Sequence, residues 1–130
     1  MKQDNKKSFK HIIEEYIDAY NNFDINKMLL NVHENIKFVN VSNGETTLTT
    51  NGIAELKIQA EQAKQYFITR KQKIINIVFK GDQVDIDIHF YGELAKDLPN
   101  GIKSGDDIEL KGKSIFRFMN NKIIEIQDIS

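Results

Sequence analysis

The stretch Ile74-Ile75-Asn76-Ile77-Val78-Phe79-Lys80-Gly81-Asp82-Gln83-Val84-Asp85-Ile86-Asp87-Ile88-His89-Phe90-Tyr91 decides the fold. Two β-branched, alternating runs flank Gly81-Asp82, a pair that suits a two-residue hairpin turn. A turn of that length sets Phe79 opposite Val84, Ile77 opposite Ile86 and Ile75 opposite Ile88, so one face of the hairpin is wholly apolar. The other face then carries Asp85, Asp87, His89 and Tyr91 against Asn76, Val78 and Ile74. An apolar sheet face needs a covering layer, and the rest of the chain must supply it.

Downstream, residues 108–119 and 123–129 read as two more strands, joined at Asn120-Asn121. The same turn logic pairs Phe118 with Ile123, Phe116 with Glu125 and Ser114 with Gln127. Ile115, Met119, Ile124 and Ile126 fall on the opposite face beside Arg117 and Lys113. Strands apolar on both faces are covered on both faces. The expectation is a homodimer through the convex sheet face. The excursion from Gly92 to Asp107 holds the only proline, Pro99, and the turn pair Asn100-Gly101.

Upstream lies the covering layer. Residues 1–7 are polar and are expected to be disordered. From Ser8, the residues Phe9, Ile12, Ile13, Tyr16, Ile17 and Tyr20 repeat at helical spacing to about Asn21-Asn22. Asp24 suits the N-cap of a second helix from Ile25 to about His33. Ile36 to Ser42 alternates as a strand, Asn43-Gly44 is a strong hairpin signal, and Thr46 to Thr49 returns. Asn51-Gly52 opens a third helix toward Phe67. The chain therefore reads as a single α+β domain over 1–130: a conical half-barrel with three N-terminal helices on a strongly curved antiparallel, mixed-edge sheet.

Composition narrows the function. With 18 basic and 19 acidic residues the net charge is −1, which offers no general attraction to phosphate backbones or anionic lipid. Only Arg70 and Arg117 carry the guanidinium fork used for nucleic-acid readout. Cysteine is absent, which excludes disulfides, thiolate nucleophiles and cysteine zinc sites and fits a reducing compartment. The N-terminal residues lack the apolar stretch of a secretory signal, and no run reaches membrane-spanning length. The expectations are a cytoplasmic protein with no cofactor, no metal, no nucleic-acid partner and no membrane partner.

The run from Glu15 through Tyr16, Ile17, Asp18, Ala19, Tyr20, Asn21, Asn22, Phe23 and Asp24 to Ile25 resembles the first-helix signature of the nuclear transport factor 2-like superfamily, in its SnoaL-like branch. His33-Glu34-Asn35-Ile36-Lys37-Phe38, Asn51-Gly52-Ile53 and the closing Phe116-Arg117-Phe118 and Lys122-Ile123-Ile124-Glu125 extend the resemblance over the chain from Ser8 to Ile129. It implies a cone that holds a small, mostly apolar molecule, and often a dimer through the sheet. It leaves isomerase, dehydratase and cyclase chemistry open beside non-catalytic binding or scaffold roles.

Within that resemblance, the oxyanion-hole tyrosine of ketosteroid isomerase matches Tyr16. The catalytic base falls on Asn40 and the second oxyanion donor on Ser114. Asparagine has no basic lone pair for carbon acids and serine donates more weakly than a neutral carboxylic acid, so the isomerase route is not retained. The expected catalytic pair is Tyr16, polarising a ligand oxygen, and Glu125, the only acid that the assumed register sends inside. Asn40, Phe116, Ser114 and Gln127 are the expected ligand contacts. The plain alternatives are a core Tyr16 and a solvated Glu125 at the rim. Asp85, Asp87 and His89 share a strand face but are expected to point outward, away from any metal site.

Overall fold

The computed structural model describes residues 2–99 and 101–130, and side chains from Asn5 onward. Three helices, α1 (Lys2–Asn21), α2 (Ile25–Met28) and α3 (Ile53–Lys64), pack on one face of a six-stranded sheet. Its strands are β1 (Val32–Ser42), β2 (Glu45–Asn51), β3 (Phe67–Lys80), β4 (Gln83–Leu94), β5 (Asp107–Met119) and β6 (Lys122–Ile129). Their spatial order is β2-β1-β6-β5-β4-β3; β1 and β6 run parallel and the other neighbours antiparallel. The sheet is therefore mixed and open, with free edges at β2 and β3.

α1 starts at Lys2, six residues before the Ser8 that the apolar spacing marks, so residues 2–7 extend the helix as a polar turn and a half. The apolar stripe then buries Phe9, Ile12, Ile13, Tyr16 and Ile17. Phe9 stacks on Phe118 with ring centroids 3.9 Å apart, and Tyr16 meets Phe116 edge-on at 5.8 Å. The helix stops in a left-handed cap. Asp24 N–H donates to the Ala19 carbonyl and Phe23 N–H to that of Tyr20, with Phe23 at φ 58°.

Asp24 then accepts from Lys27 N–H at 3.1 Å and opens α2 as expected, but α2 closes after one turn. The segment from Val32 already belongs to β1, which takes His33 out of any helix. Similarly, α3 ends at Lys64 and Phe67 begins β3, so the third strand is seven residues longer than the Ile74 start implies. Asn43-Gly44 and Asn120-Asn121 turn as expected, all four residues at positive φ. Asn100 of the anticipated Asn100-Gly101 turn lies outside the described residues.

Three irregularities correct the expected faces. In β3 the register runs Phe79 to Val84 and Ile77 to Ile86, and then Ile75 bulges so that Ile74, not Ile75, meets Ile88. Ile75 is 59% exposed, while Ile74 packs on the core. In β6, Phe118 meets Ile123, and then Ile124 is the extra residue, so Arg117 meets Glu125 and Phe116 meets Ile126. A one-residue slip inverts every later side chain. Ile126 thus moves from the expected convex patch into the core, and Asp128 replaces Gln127 on the inner face. In β2, Thr47 is the extra residue opposite Asn40 and Val41.

Candidate functional site

One rung across the sheet builds the site. Leu48, Asn40, Asp128, Ser114, Ile86 and Ile77 are successive cross-strand neighbours on the inner face, from β2 through β1, β6, β5 and β4 to β3. The β6 bulge is what places a carboxylate in the middle of it. Ser114 Oγ donates to Asp128 Oδ1 at 2.7 Å. Asn40 Nδ2 instead donates to Thr47 Oγ1 at 2.8 Å.

Above the rung, a cavity of about 360 Å³ opens between α1, α2, α3 and the sheet. Its polar wall includes Tyr16, Tyr20, Asn40, Arg70 and Asp128, and Met28, Phe38, Leu48 and Leu56 supply apolar surface. A second cavity of about 230 Å³ shares Tyr20, Asn40 and Asp128 and continues past Ile88 and Phe90 toward Leu110. Asp128 stands where the two meet. A larger depression of about 570 Å³ lies between α3 and the chain near Pro99, but no acidic residue lines it.

Burial sets the chemistry. The Asp128 residue keeps some solvent contact where the cavities open, but its carboxyl lies deep in the cone. Loss of solvation pushes its pKa up to about 6, and the Ser114 hydrogen bond offsets only part of that rise. Roughly nine in ten molecules then carry the anion at neutral pH, and the proton affinity is close to that of a working general base. Burial raises the Tyr16 hydroxyl far above the usual phenol range, with the Asp128 charge adding to the rise, so Tyr16 is always a donor. That hydroxyl makes no hydrogen bond to the described residues. Burial raises Tyr20 as well, while the nearby Arg70 cation pulls it down.

The expected site residues separate. Tyr16, Asn40 and Ser114 face the inside, the first two on the cavity wall. Phe116 also faces in but is core, 1% exposed beneath Tyr16. Glu125 and Gln127 do not face the cone: Glu125 accepts from Arg117 Nη1 at 3.2 Å on the outer face, and Gln127 sits opposite Ile115. The physical reason is the bulge at Ile124. The acid and the cation that do reach the cavity, Asp128 and Arg70, were both missing from the expected set. Arg70 carried a signal, being one of only two arginines in the chain.

On the outer face, His89 bonds Glu109 at 2.6 Å and Tyr91 at 3.0 Å, and Asp85 accepts from Lys80 and Gln83. Among the described residues no group of three metal-ligating side chains converges, and no helix is long and apolar enough to cross a membrane.

The family model of the SnoaL-like domain matches residues 13–126. The chain belongs to the SnoaL-like domain family. Solved SnoaL-like and related folds superpose over nearly all of it. A candidate SnoaL-like polyketide cyclase from Jannaschia sp. CCS1 gives a TM-score of 0.79 at 13% identity, covering 94% of this chain and 84% of that one. A candidate polyketide cyclase from Xanthomonas campestris pv. campestris gives 0.76 at 18% identity, covering 97% and 92%. TerC, co-crystallised with polyporic acid, gives 0.74 at 16% identity, covering 94% and 90%. At these identities the likeness is one of fold. No curated protein matches the SnoaL-like chain significantly in sequence.

Proposed function

We propose that this SnoaL-like domain binds a small, mostly apolar organic molecule in the cone and moves a proton on it, with Asp128 as the base and Tyr16 as the donor to a ligand oxygen. The observation that carries this reading is the Asp128 carboxylate, buried at the wall of the cavity with a pKa near 6 and, among the described residues, no ion-pair partner. An acid in such a place destabilises the fold, which is the usual mark of a functional group. A carboxylate on one side of the cavity and a free phenol on another fit proton abstraction beside a carbonyl, where the phenol stabilises the oxygen as charge develops. The roles expected of Glu125 and Gln127 pass to Asp128 and Arg70. The co-crystallised neighbour TerC supports a small organic occupant. Incubation with a panel of one- to three-ring ketones in D2O tests the chemistry. Deuterium should enter beside the carbonyl with the wild type and fall to the buffer rate with Asp128→Asn. Exchange that survives this substitution would remove Asp128 from the role of base.

A second copy of the chain is the proposed partner on the outer face, in place of a non-catalytic docking role for that face. Val78 is 42% and Met119 50% exposed there, beside half-buried Ile115. Sedimentation at micromolar concentration should show a dimer, and Ile115→Glu should return it to monomer by burying an unpaired charge next to Asp85. A wild type that sediments only as monomer contradicts the proposal. The absence of cysteine supports a reducing, cytoplasmic setting.

A further inference from the structure

Arg70 is the least explained charge in the molecule. It is 5% exposed, yet among the described residues no carboxylate pairs with it. Buried guanidinium groups are almost always paired, because an unpaired ion gives up its hydration for nothing. Here the cation lies over the Tyr20 ring at 3.7 Å and the Phe23 ring at 4.5 Å, and its Nε donates to the Tyr20 carbonyl at 2.9 Å. Nη2 is closed to solvent and has no hydrogen-bond partner among the described residues.

The surroundings are built to hold that cation in place. Phe23 takes the left-handed cap position at φ 58°, where glycine is the least strained residue. The strained backbone brings the Phe23 ring to the guanidinium. Asn21 then ties the end of α1 to β3 through two bonds, donating to the Gln72 carbonyl at 3.1 Å and accepting from Gln72 N–H at 2.7 Å. The helix terminus alone does not explain the arrangement, because one nitrogen is enough to satisfy the Tyr20 carbonyl. Arg70 lines the same 360 Å³ cavity as Tyr16 and Asp128.

We infer that Arg70 is the anion-recognising residue of the cone, so that the ligand is an apolar molecule bearing one anionic oxygen group, such as a carboxylate, which pairs with the guanidinium from the cavity side. This rests on the reading of the cone as a ligand site and adds the class of ligand. The ligand's charge supplies the missing counterion, and its apolar body takes the Met28, Phe38 and Leu56 surface. Asp128 remains the proton-transfer group.

Matched pairs of one- and two-ring aromatic carboxylates and their primary amides test the inference, with affinities measured by ligand-observed NMR and calorimetry. The wild type should prefer the carboxylate over its amide by about 10- to 100-fold, the range of a charge-assisted hydrogen bond. Arg70→Gln should erase the preference, bringing the acid and its amide to equal affinity. Phe23→Gly relieves the backbone strain while leaving Arg70, so it provides a folded variant in which the preference should fall but persist. Equal wild-type affinity for acid and amide overturns the inference and leaves the cone a ligand site. A preference that survives Arg70→Gln overturns it too. Failure of every pair to bind overturns both this inference and the reading it rests on.

Discussion

Replacing Asp128 by asparagine should make the protein more stable at neutral pH. The folded-state pKa of about 6 lies some two units above the ordinary 3.8, and each unit is worth 1.36 kcal/mol, so the buried anion costs about 3 kcal/mol. Asparagine keeps an oxygen to accept from Ser114 and carries no charge. The sign follows from proton counting. Between about pH 4 and pH 6 the folded state holds a proton on Asp128 that the unfolded state has lost. Wild-type stability therefore falls as pH rises through that window and levels off above it. The variant lacks this slope. Urea unfolding at pH 7.5 should show a midpoint about 2 M higher for Asp128→Asn, for a slope of roughly 1.5 kcal/mol/M. Near pH 3.5 the difference should vanish, because both folded and unfolded wild-type chains are then largely protonated at this site. A variant less stable at pH 7.5, or one whose advantage is the same at both pH values, would refute the reasoning.

Two further outcomes follow from the packing. Tyr16→Phe should fold normally, since the edge-on contact with Phe116 survives, but it should weaken binding of an aromatic ketone by about 0.5–1.5 kcal/mol in calorimetry. Unchanged affinity would leave Tyr16 as a core residue. Phe9→Ala removes the ring stacked on Phe118 and should cost about 3–5 kcal/mol in urea unfolding, with no change in ligand affinity if the two ends of the cone are independent.

The hairpins were legible in the sequence because their turns are local. Asn43-Gly44, Gly81-Asp82 and Asn120-Asn121 each fix two strands through residues that tolerate positive φ. The bulges at Ile75 and Ile124 were not legible. Each extra residue bends its strand locally, and nothing in an isoleucine marks where such a bend falls. One bulge was enough to exchange Glu125 and Gln127 for Asp128 in the cone, so the fold survived an error that the site did not. Arg70 was lost differently. The residues from Phe67 to Lys73 read as the end of a helix and a connection, whereas they extend β3 and carry Arg70 beneath Tyr20. Short α2 shows the same competition, since Val32 already lies opposite Ile123 in the sheet and the Asn31 carbonyl accepts from Ile123 N–H.

The central claim is that Asp128 is the acid facing a ligand cavity. A carbon-detected NMR titration of its carboxyl group, free and with a saturating neutral aromatic amide bound, tests this most directly. The account predicts a midpoint of about 6 in the free protein and a higher one with the amide bound, because the ligand displaces the remaining water around the carboxylate. A midpoint near 4 that bound ligand leaves unmoved would contradict it.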